Sequence, residues 1–512
     1  MADRQDLASM SELGSVTPTS FVRGEMLPAR EAPVHRPGVL GLARRRLFNS
    51  PGNILLTIIG AVLLYLTIVP TIRFLFVDAV WQGSNRTACL AETAGHPVGA
   101  CWPFIQAKAM QFIYGFYPEP ERWRVNLTFA LAALLLAPLL IPRAPAKGLN
   151  ATLFFVAFPI VAYFLLHGGG IGGFGVSWTV EALANVASSI AGAGLRLVSS
   201  GSIAGHLIGT ALMWIATALV WAMEPLGLLY HWIQTSSQPV WIDLGLTALI
   251  AVALVFALSG LRNGARAVLT TLAIFVGIVV VVAALRLDRG GLPIVDTRQW
   301  GGLLVTLVVS VTGIVASMPI GIALALGRRS DYPLIRMFSI GFIEFWRGVP
   351  LITVMFFATY MLPLFLPGNF TIDNLLRVLI GTALFAGAYN AEVIRGGLAA
   401  IPRGQAEAAS ALGLSYWKIN GLVILPQALR HVIPGLVNSF IALFKDTSLV
   451  SIVALFDLLG SLRAAFADPN WSTPTTLFTG FAFTGLIYFV FCFGMSRYSL
   501  FVEHRLNAHK RS

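Results

Sequence analysis

Between two long apolar runs the chain reads Glu407-Ala408-Ala409-Ser410-Ala411-Leu412-Gly413, and further on Val423-Ile424-Leu425-Pro426. A connection that only joins two membrane spans needs no more than a tight turn. This one is polar, rich in alanine, and suited to a small helix–turn–helix on the membrane surface. Pro402 fits the first turn of a helix, where its missing N–H costs nothing. Glu407 lies early in that helix, where the dipole favours an anion. Ala408, Ala411, Leu412 and Ser415 share one face at helical spacing. Gly413 suits the left-handed residue that ends a helix, and Ser415 can cap the next. Small residues at 406, 408, 409 and 411 let another surface approach closely. The segment reads as a rigid handle that a second protein can push.

The flanking apolar runs set the fold class. The chain has 512 residues, of which 56% are hydrophobic and 11% charged, with mean hydropathy +0.77. A soluble domain carries roughly 25% charged residues. Runs of about 20 apolar residues recur, enough for a helix to cross a hydrocarbon core of ~30 Å. They are continuous rather than alternating, which favours helices over a membrane β-barrel. The expectation is an all-α polytopic membrane protein. The net charge of +12 reads as orientation, since Lys and Arg collect on the cytoplasmic side. A nucleic-acid partner is not expected, because no soluble basic face is visible.

Four regions follow. Residues 1–50 lack periodicity and read as a disordered cytoplasmic tail, with Arg44, Arg45 and Arg46 marking the inside. The first apolar run, at 54–77, follows this polar tail and reads as a retained span. Residues 51–167 form a three-span extension with an outer loop at 78–124. Residues 168–299 read as inserted membrane hairpins. One is clear, 244–260 with 267–285, turning at Arg262-Asn263-Gly264-Ala265-Arg266. A second pairs 180–198 with 203–223. Residues 300–512 hold five spans, near 302–326, 334–362, 375–397, 430–456 and 476–496. The total is twelve, or ten without the second hairpin. Both termini fall inside. Cys89 and Cys101 share the outer loop and can pair if it faces an oxidising compartment; otherwise they are two free thiols. No metal-ligand spacing is present.

Glu407-Ala408-Ala409, Gly413, Val423, Leu425 and Pro426 together resemble the cytoplasmic EAA loop of ABC importer permeases, with Val423 where isoleucine is typical. The resemblance implies a type I permease core of five spans, extended at its N-terminus to ten to twelve in all. It also implies that Glu407, Ala408, Ala409, Gly413, Leu425 and Pro426 couple the core to a separate ATP-hydrolysing subunit. Three further stretches are similar to permeases for polar amino acids. They are Glu344-Phe345-Trp346-Arg347-Gly348-Val349-Pro350-Leu351, the run from Tyr389 to Gly397, and the run from Phe444 to Val450. The extension, with Phe112–Tyr117 and Glu121-Arg122-Trp123-Arg124, is similar to permeases of general L-amino-acid importers. Residues 168–290 do not fit that pattern.

The expected function is therefore the permease subunit of an ATP-driven importer of polar L-amino acids in a bacterial inner membrane. It would work with ABC ATPase subunits, a second permease, the same or related, and a periplasmic amino-acid-binding protein. Glu344, Arg347, Glu392, Arg395, Lys445 and Asp446 lie in or beside spans, where ionisable groups pair, face the bundle interior or line a pathway. A zwitterionic cargo needs both signs. The bland alternative makes Glu344–Arg347 and Glu392–Arg395 structural i,i+3 pairs and puts Lys445–Asp446 between two permeases. Gly348-Val349-Pro350 should break its helix. No lysine follows a glycine, so a P-loop is excluded and ATP and magnesium belong to the partner. Two rivals, a membrane-embedded enzyme and a passive channel, meet objections. The first needs a clustered nucleophile and base, whereas the histidines are scattered, and the second needs no docking helix.

Overall fold

The computed structural model describes residues 47–141, 144–365 and 372–507. Most of the expected N-terminal tail lies outside them, as do Arg143, Lys510 and Arg511. The side chains of residues 258–267 are likewise undescribed. The chain divides into two compact units, Met1–Val77 and Asp78–Ser512. The first span therefore forms a unit apart from the rest of the 51–167 extension. Its helix α1 (Pro51–Ile72) begins with Ser50 accepting a hydrogen bond from the Asn53 N–H at 3.2 Å. It is apolar on every side and buries none of its residues, as suits a helix whose solvent is lipid.

The second unit opens with α2 (Trp102–Tyr114), α3 (Arg122–Leu140) and α4 (Lys147–His167). The insertion follows as α5 (Gly175–Val198), α6 (Ile203–Ala222), α7 (Glu224–Gln234) and α8 (Pro239–Ala284). A straight α8 would put Trp241 roughly 65 Å from Ala284, at 1.5 Å per residue. Yet the Trp241 indole N–H donates to Asp288 at 3.0 Å, and four residues beyond Ala284 reach at most ~14 Å. The chain therefore doubles back within α8, which makes it the hairpin expected over 244–285.

The core comprises α9 (Gly302–Gly327), α10 (Pro333–Gly348), α11 (Leu351–Phe365), α12 (Asn374–Ala399), α13 (Arg403–Ala411), α14 (Leu425–Asp446), α15 (Leu458–Phe466) and α16 (Pro474–Asn507). The axis bends by 102° between α10 and α11. The bend falls at Val349 and Pro350, where proline cannot continue the hydrogen-bond ladder. Among the described residues, eight helices are long and apolar enough to cross a membrane, or nine if the bent pair is one span. Helices stand at the other expected span positions too. Of these, α12 is more polar, carrying Arg377, Asn390, Glu392 and Arg395, and it is an inner helix with many buried positions.

Two apolar clusters hold the core. In one, Val305 and Val309 of α9 pack with Met355 of α11, Val378 of α12 and Val450, and Tyr114, Tyr117 and Trp300 join them from the extension side. Tyr117 donates to the Leu166 carbonyl at 2.8 Å, and burial pushes its phenol up to about 12. The wholly buried Arg124 meets Glu121 at 2.8 Å and the Pro293 carbonyl at 3.0 Å. The packing of Tyr114 and Tyr117 on the first cluster fastens extension to core, and Arg124 ties the extension to the end of the insertion. The second cluster joins Ala325, Ile343, Ile394, Leu398, Ala428 and Val432, beneath the segment quoted first.

Candidate functional site

Helix α13 is short because its sequence starts and stops it. Pro402 stands just before the first helical residue rather than inside the first turn, with φ −59° and ψ 138°. At the other end Gly413 takes φ +75°. Its N–H donates to the Ser410 carbonyl at 2.9 Å, and the Leu414 N–H donates to Ala409 at 3.3 Å. That pair of bonds is a Schellman turn, which needs a left-handed residue at this place. Ser415 then starts a further helical turn, Tyr416–Lys418, without a side-chain capping bond. A π-helical turn, Ile419–Ile424, leads into α14.

The two faces of this elbow differ. Ala409 is 4% exposed, and Ala406, Val423 and Leu425 pack on the cluster that joins α9, α10, α12 and α14. Gln427 of α14 donates to the Gln405 side chain at 3.3 Å. Glu407, Ala408, Ala411, Gly413 and Pro426 face outward. So do Leu412 and Trp417, at 81% and 76% exposure. Of the coupling residues expected from sequence, Ala409 and Leu425 thus anchor the elbow, while Glu407, Ala408, Gly413 and Pro426 offer a surface. The inward side of the elbow packs, through Ala406, Val423 and Leu425, on a cluster shared by four core helices.

Four of the six charged candidates gather at one place. Glu392 of α12 binds Arg395 at 2.6 Å, and lies 3.5 Å from Arg328 and 4.0 Å from Arg347. Glu344 pairs with Arg328 at 3.1 Å rather than with Arg347. Arg347 also sits over the Tyr389 ring, 5.7 Å from its centroid. The cluster ties the last turn of α10, just before the 102° bend, to α12 and the end of α9. Beside it, Asn390 donates to Ser317 at 2.9 Å between α12 and α9. Lys445 and Asp446 lie elsewhere, at the end of α14. Lys445 is exposed, Asp446 is half-buried, and neither has an ion pair among the described residues. A surface groove of about 510 Å³ along α10, lined by Asp331, Arg336, Met337 and Gly341 among others, includes none of the six.

The extension adds a stapled loop beside the core. Cys89 and Cys101 are bonded, with Cα atoms 5.8 Å apart. The Cys101 N–H donates to Thr479 at 2.9 Å, and the Arg86 N–H to the Asn470 carbonyl at 2.8 Å. Lys108 meets Asp468 at 2.6 Å and holds that carboxyl below its ordinary range, helped by the Asn470 N–H.

The sequence places Leu412 on a shared helical face but gives no site role to it, to Trp417 or to Arg328. Arg328 closes the charged cluster. Large apolar residues standing out of a polar segment are the available signal for Leu412 and Trp417.

Comparison with known proteins gives a consistent picture. Residues 317–508 match the family described as binding-protein-dependent transport system inner membrane component. The chain is similar to YhdY of Escherichia coli K12, an inner membrane amino-acid ABC transporter permease protein. They are 37% identical over 480 residues, covering 94% of this chain and 96% of YhdY. It is also similar to BztC of Rhodobacter capsulatus, a glutamate/glutamine/aspartate/asparagine transport system permease protein. Identity there is 40% over 498 residues, covering 96% and 99%. A crystal structure described as an amino acid ABC transporter with histidines aligns at TM-score 0.35 and 28% identity, over 40% of this chain and 92% of that one.

Proposed function

Because the chain belongs to the permeases of amino-acid ABC transporters, we propose that it carries polar L-amino acids inward, driven by a separate ATPase through the elbow at 402–426. Two ATPase subunits receive the exposed side of α13 and the Leu412–Trp417 turn. Their closure on ATP and magnesium draws the elbows of two permeases together. Ala409 and Leu425 pass that motion to α9, α10, α12 and α14, and the core rocks between inward- and outward-facing states. A periplasmic binding protein delivers the cargo in a bacterial inner membrane. The two-faced elbow carries this reading: an outward polar and small surface, two bare apolar side chains, and a buried side fixed to the core.

Polar L-amino acids fit what BztC's name gives as its cargo. They also fit the mixed charges of Glu344, Arg347, Glu392 and Arg395, which meet beside the α10–α11 bend, since ionisable groups in or beside spans mark pathways. Lys445 and Asp446 offer a second pair of opposite charges for a zwitterion. The test is co-purification and uptake. An ATPase should come down with the intact chain and be lost with Leu412→Asp and Trp417→Asp, and labelled polar amino acids should accumulate only with the intact complex. An intact complex that moves solute without ATP would leave the channel reading in place.

A further inference from the structure

Helix α10 lies across the spans rather than along them. Its continuation α11 runs beside α12. Val354 and Ala358 of α11 stand opposite Gly381, and Arg377 of α12 donates to the Thr359 carbonyl. The axis turns by 102° between α10 and α11, so α10 runs close to the membrane plane. A second set of contacts fixes its depth. Helix α9 ends at Gly327, where an added Cβ would come within 2.3 Å of the Ser339 hydroxyl. Glu344 and Glu392 both reach Arg328, the next residue, at 3.1 and 3.5 Å. Ile343 shares its apolar cluster with Ala406, Val423 and Leu425 of the elbow. The middle of α10 is therefore level with the elbow end of the spans, where the hydrocarbon core gives way to lipid headgroups.

The sides of α10 have different surroundings. Ser339 and Ile343 are buried against the core. Leu334, Phe338 and Phe345 share a second side at helical spacing and stand exposed, the disposition of a surface helix that dips an apolar face below the headgroups. Beside that face runs the groove of about 510 Å³. Pro333, Met337, Ile340 and Gly341 give it apolar walls, and Asp331 and Arg336 add one charge of each sign. At Gly341 an added Cβ would meet nothing within 4 Å, so the groove is open there. The Asp331 and Arg336 side chains are exposed, and neither has a partner among the described residues.

We propose that this groove binds a phospholipid whose headgroup carries a primary amine. The Arg336 guanidinium donates to the phosphate, which its planar fork fits. The Asp331 carboxylate accepts from the ammonium, and an acyl chain lies over Met337, Ile340 and Gly341. The level of the groove selects a lipid, because it opens where a helix in the membrane plane meets the headgroup region. The two charges select the headgroup. An anionic headgroup without an amine would set a phosphate against Asp331 with nothing to offset it, and a quaternary ammonium has no N–H to donate. The same helix carries Glu344 and Arg347 of the charged cluster at its far end, so a lipid held here steadies the bend from the membrane side.

Photo-crosslinking of the purified full chain in nanodiscs tests it, with p-benzoylphenylalanine at Met337 and, as a control on an exposed position of α16, at Phe489. The discs hold phosphatidylethanolamine, phosphatidylcholine and phosphatidylglycerol in equal parts, and the mass of each adduct identifies its headgroup. At 337 the phosphatidylethanolamine adduct should exceed each of the others roughly five-fold, the order of one ion pair at an accessible site. At 489 the three should be equal. Asp331→Asn and Arg336→Gln, which remove no contact within this chain, should each bring the ratio at 337 down to that at 489, and Arg336→Lys should keep part of the preference. Equal adducts at 337, a preference for phosphatidylglycerol, an adduct with a second copy of this chain, or a preference unchanged by both substitutions would overturn the proposal. Any of these beside normal uptake would leave the transport reading standing. Lost uptake with the lipid preference intact would count against that reading alone.

Discussion

Replacing Gly413 separates the elbow's mechanical role from its role in folding. An added Cβ at 413 meets nothing within 4 Å, so no packing is lost and the membrane core is untouched. The whole cost is backbone. At φ +75° an L side chain costs roughly 1–2 kcal/mol, which shifts the ratio of native to altered turn by a factor of about 5–30. The turn sets the direction of Leu412 and Trp417, so the altered population presents the wrong surface. Gly413→Ala should therefore insert at wild-type levels while uptake and cargo-stimulated ATP hydrolysis fall, by at most that factor. Gly413→Trp adds bulk on the docking side and should abolish both. Gly413→Asn should retain most activity, because asparagine tolerates the left-handed region. The assay is uptake into proteoliposomes beside ATP hydrolysis, with the amount of inserted chain measured by blot. Normal uptake with Gly413→Trp would refute the coupling role. Equal losses for alanine and asparagine would refute the backbone argument.

Glu392→Gln leaves Arg328, Arg347 and Arg395 without their shared anion. A loss of about 1–2 kcal/mol is expected, below the full worth of a charged hydrogen bond because the cluster is partly exposed; a lower melting temperature and lost uptake would show it, and an unchanged melt would argue against one connected cluster. Asp468 has a depressed pKa in the folded protein, so its contribution is present above the unfolded value of about 3.9 and is lost as pH falls through the lower folded value. Protease sensitivity of the 78–101 loop should accordingly rise only below about pH 4, and Lys108→Ala should remove that acid dependence. Asp243→Ala strips the cap from α5, at a cost of roughly 1–2 kcal/mol, and should increase maleimide labelling of a cysteine placed at the buried Ala187; unchanged labelling would show that the α5–α6 packing alone fixes the hairpin.

Much of the layout was legible because it depends on local chemistry. Apolar runs declare spans, Pro350 declares a break, and Gly413 declares the end of a short helix. The 244–285 hairpin was readable in the same way, and the Trp241–Asp288 contact requires it. Partners across helices were not legible. The i,i+3 rule joins Glu344 to Arg347, yet Glu344 takes Arg328 from the turn after α9. Nothing near Asp243 in sequence announces that its carboxylate caps a helix beginning at Gly175. The 402–426 motif likewise did not say that Ala409 and Leu425 turn inward while Glu407 and Ala408 turn outward.

The sequence by itself determined an all-helical membrane chain with a helical elbow between spans, since hydropathy, proline and glycine act within a few residues of where they stand; the amino-acid permease core came from the resemblance of its motifs to a known family. Only the tertiary structure decided which charges meet, which side of the elbow is anchored, and at what level α10 lies across the spans. Those depend on residues far apart in the chain being brought within about 3–4 Å, the range in which hydrogen bonds and ion pairs act.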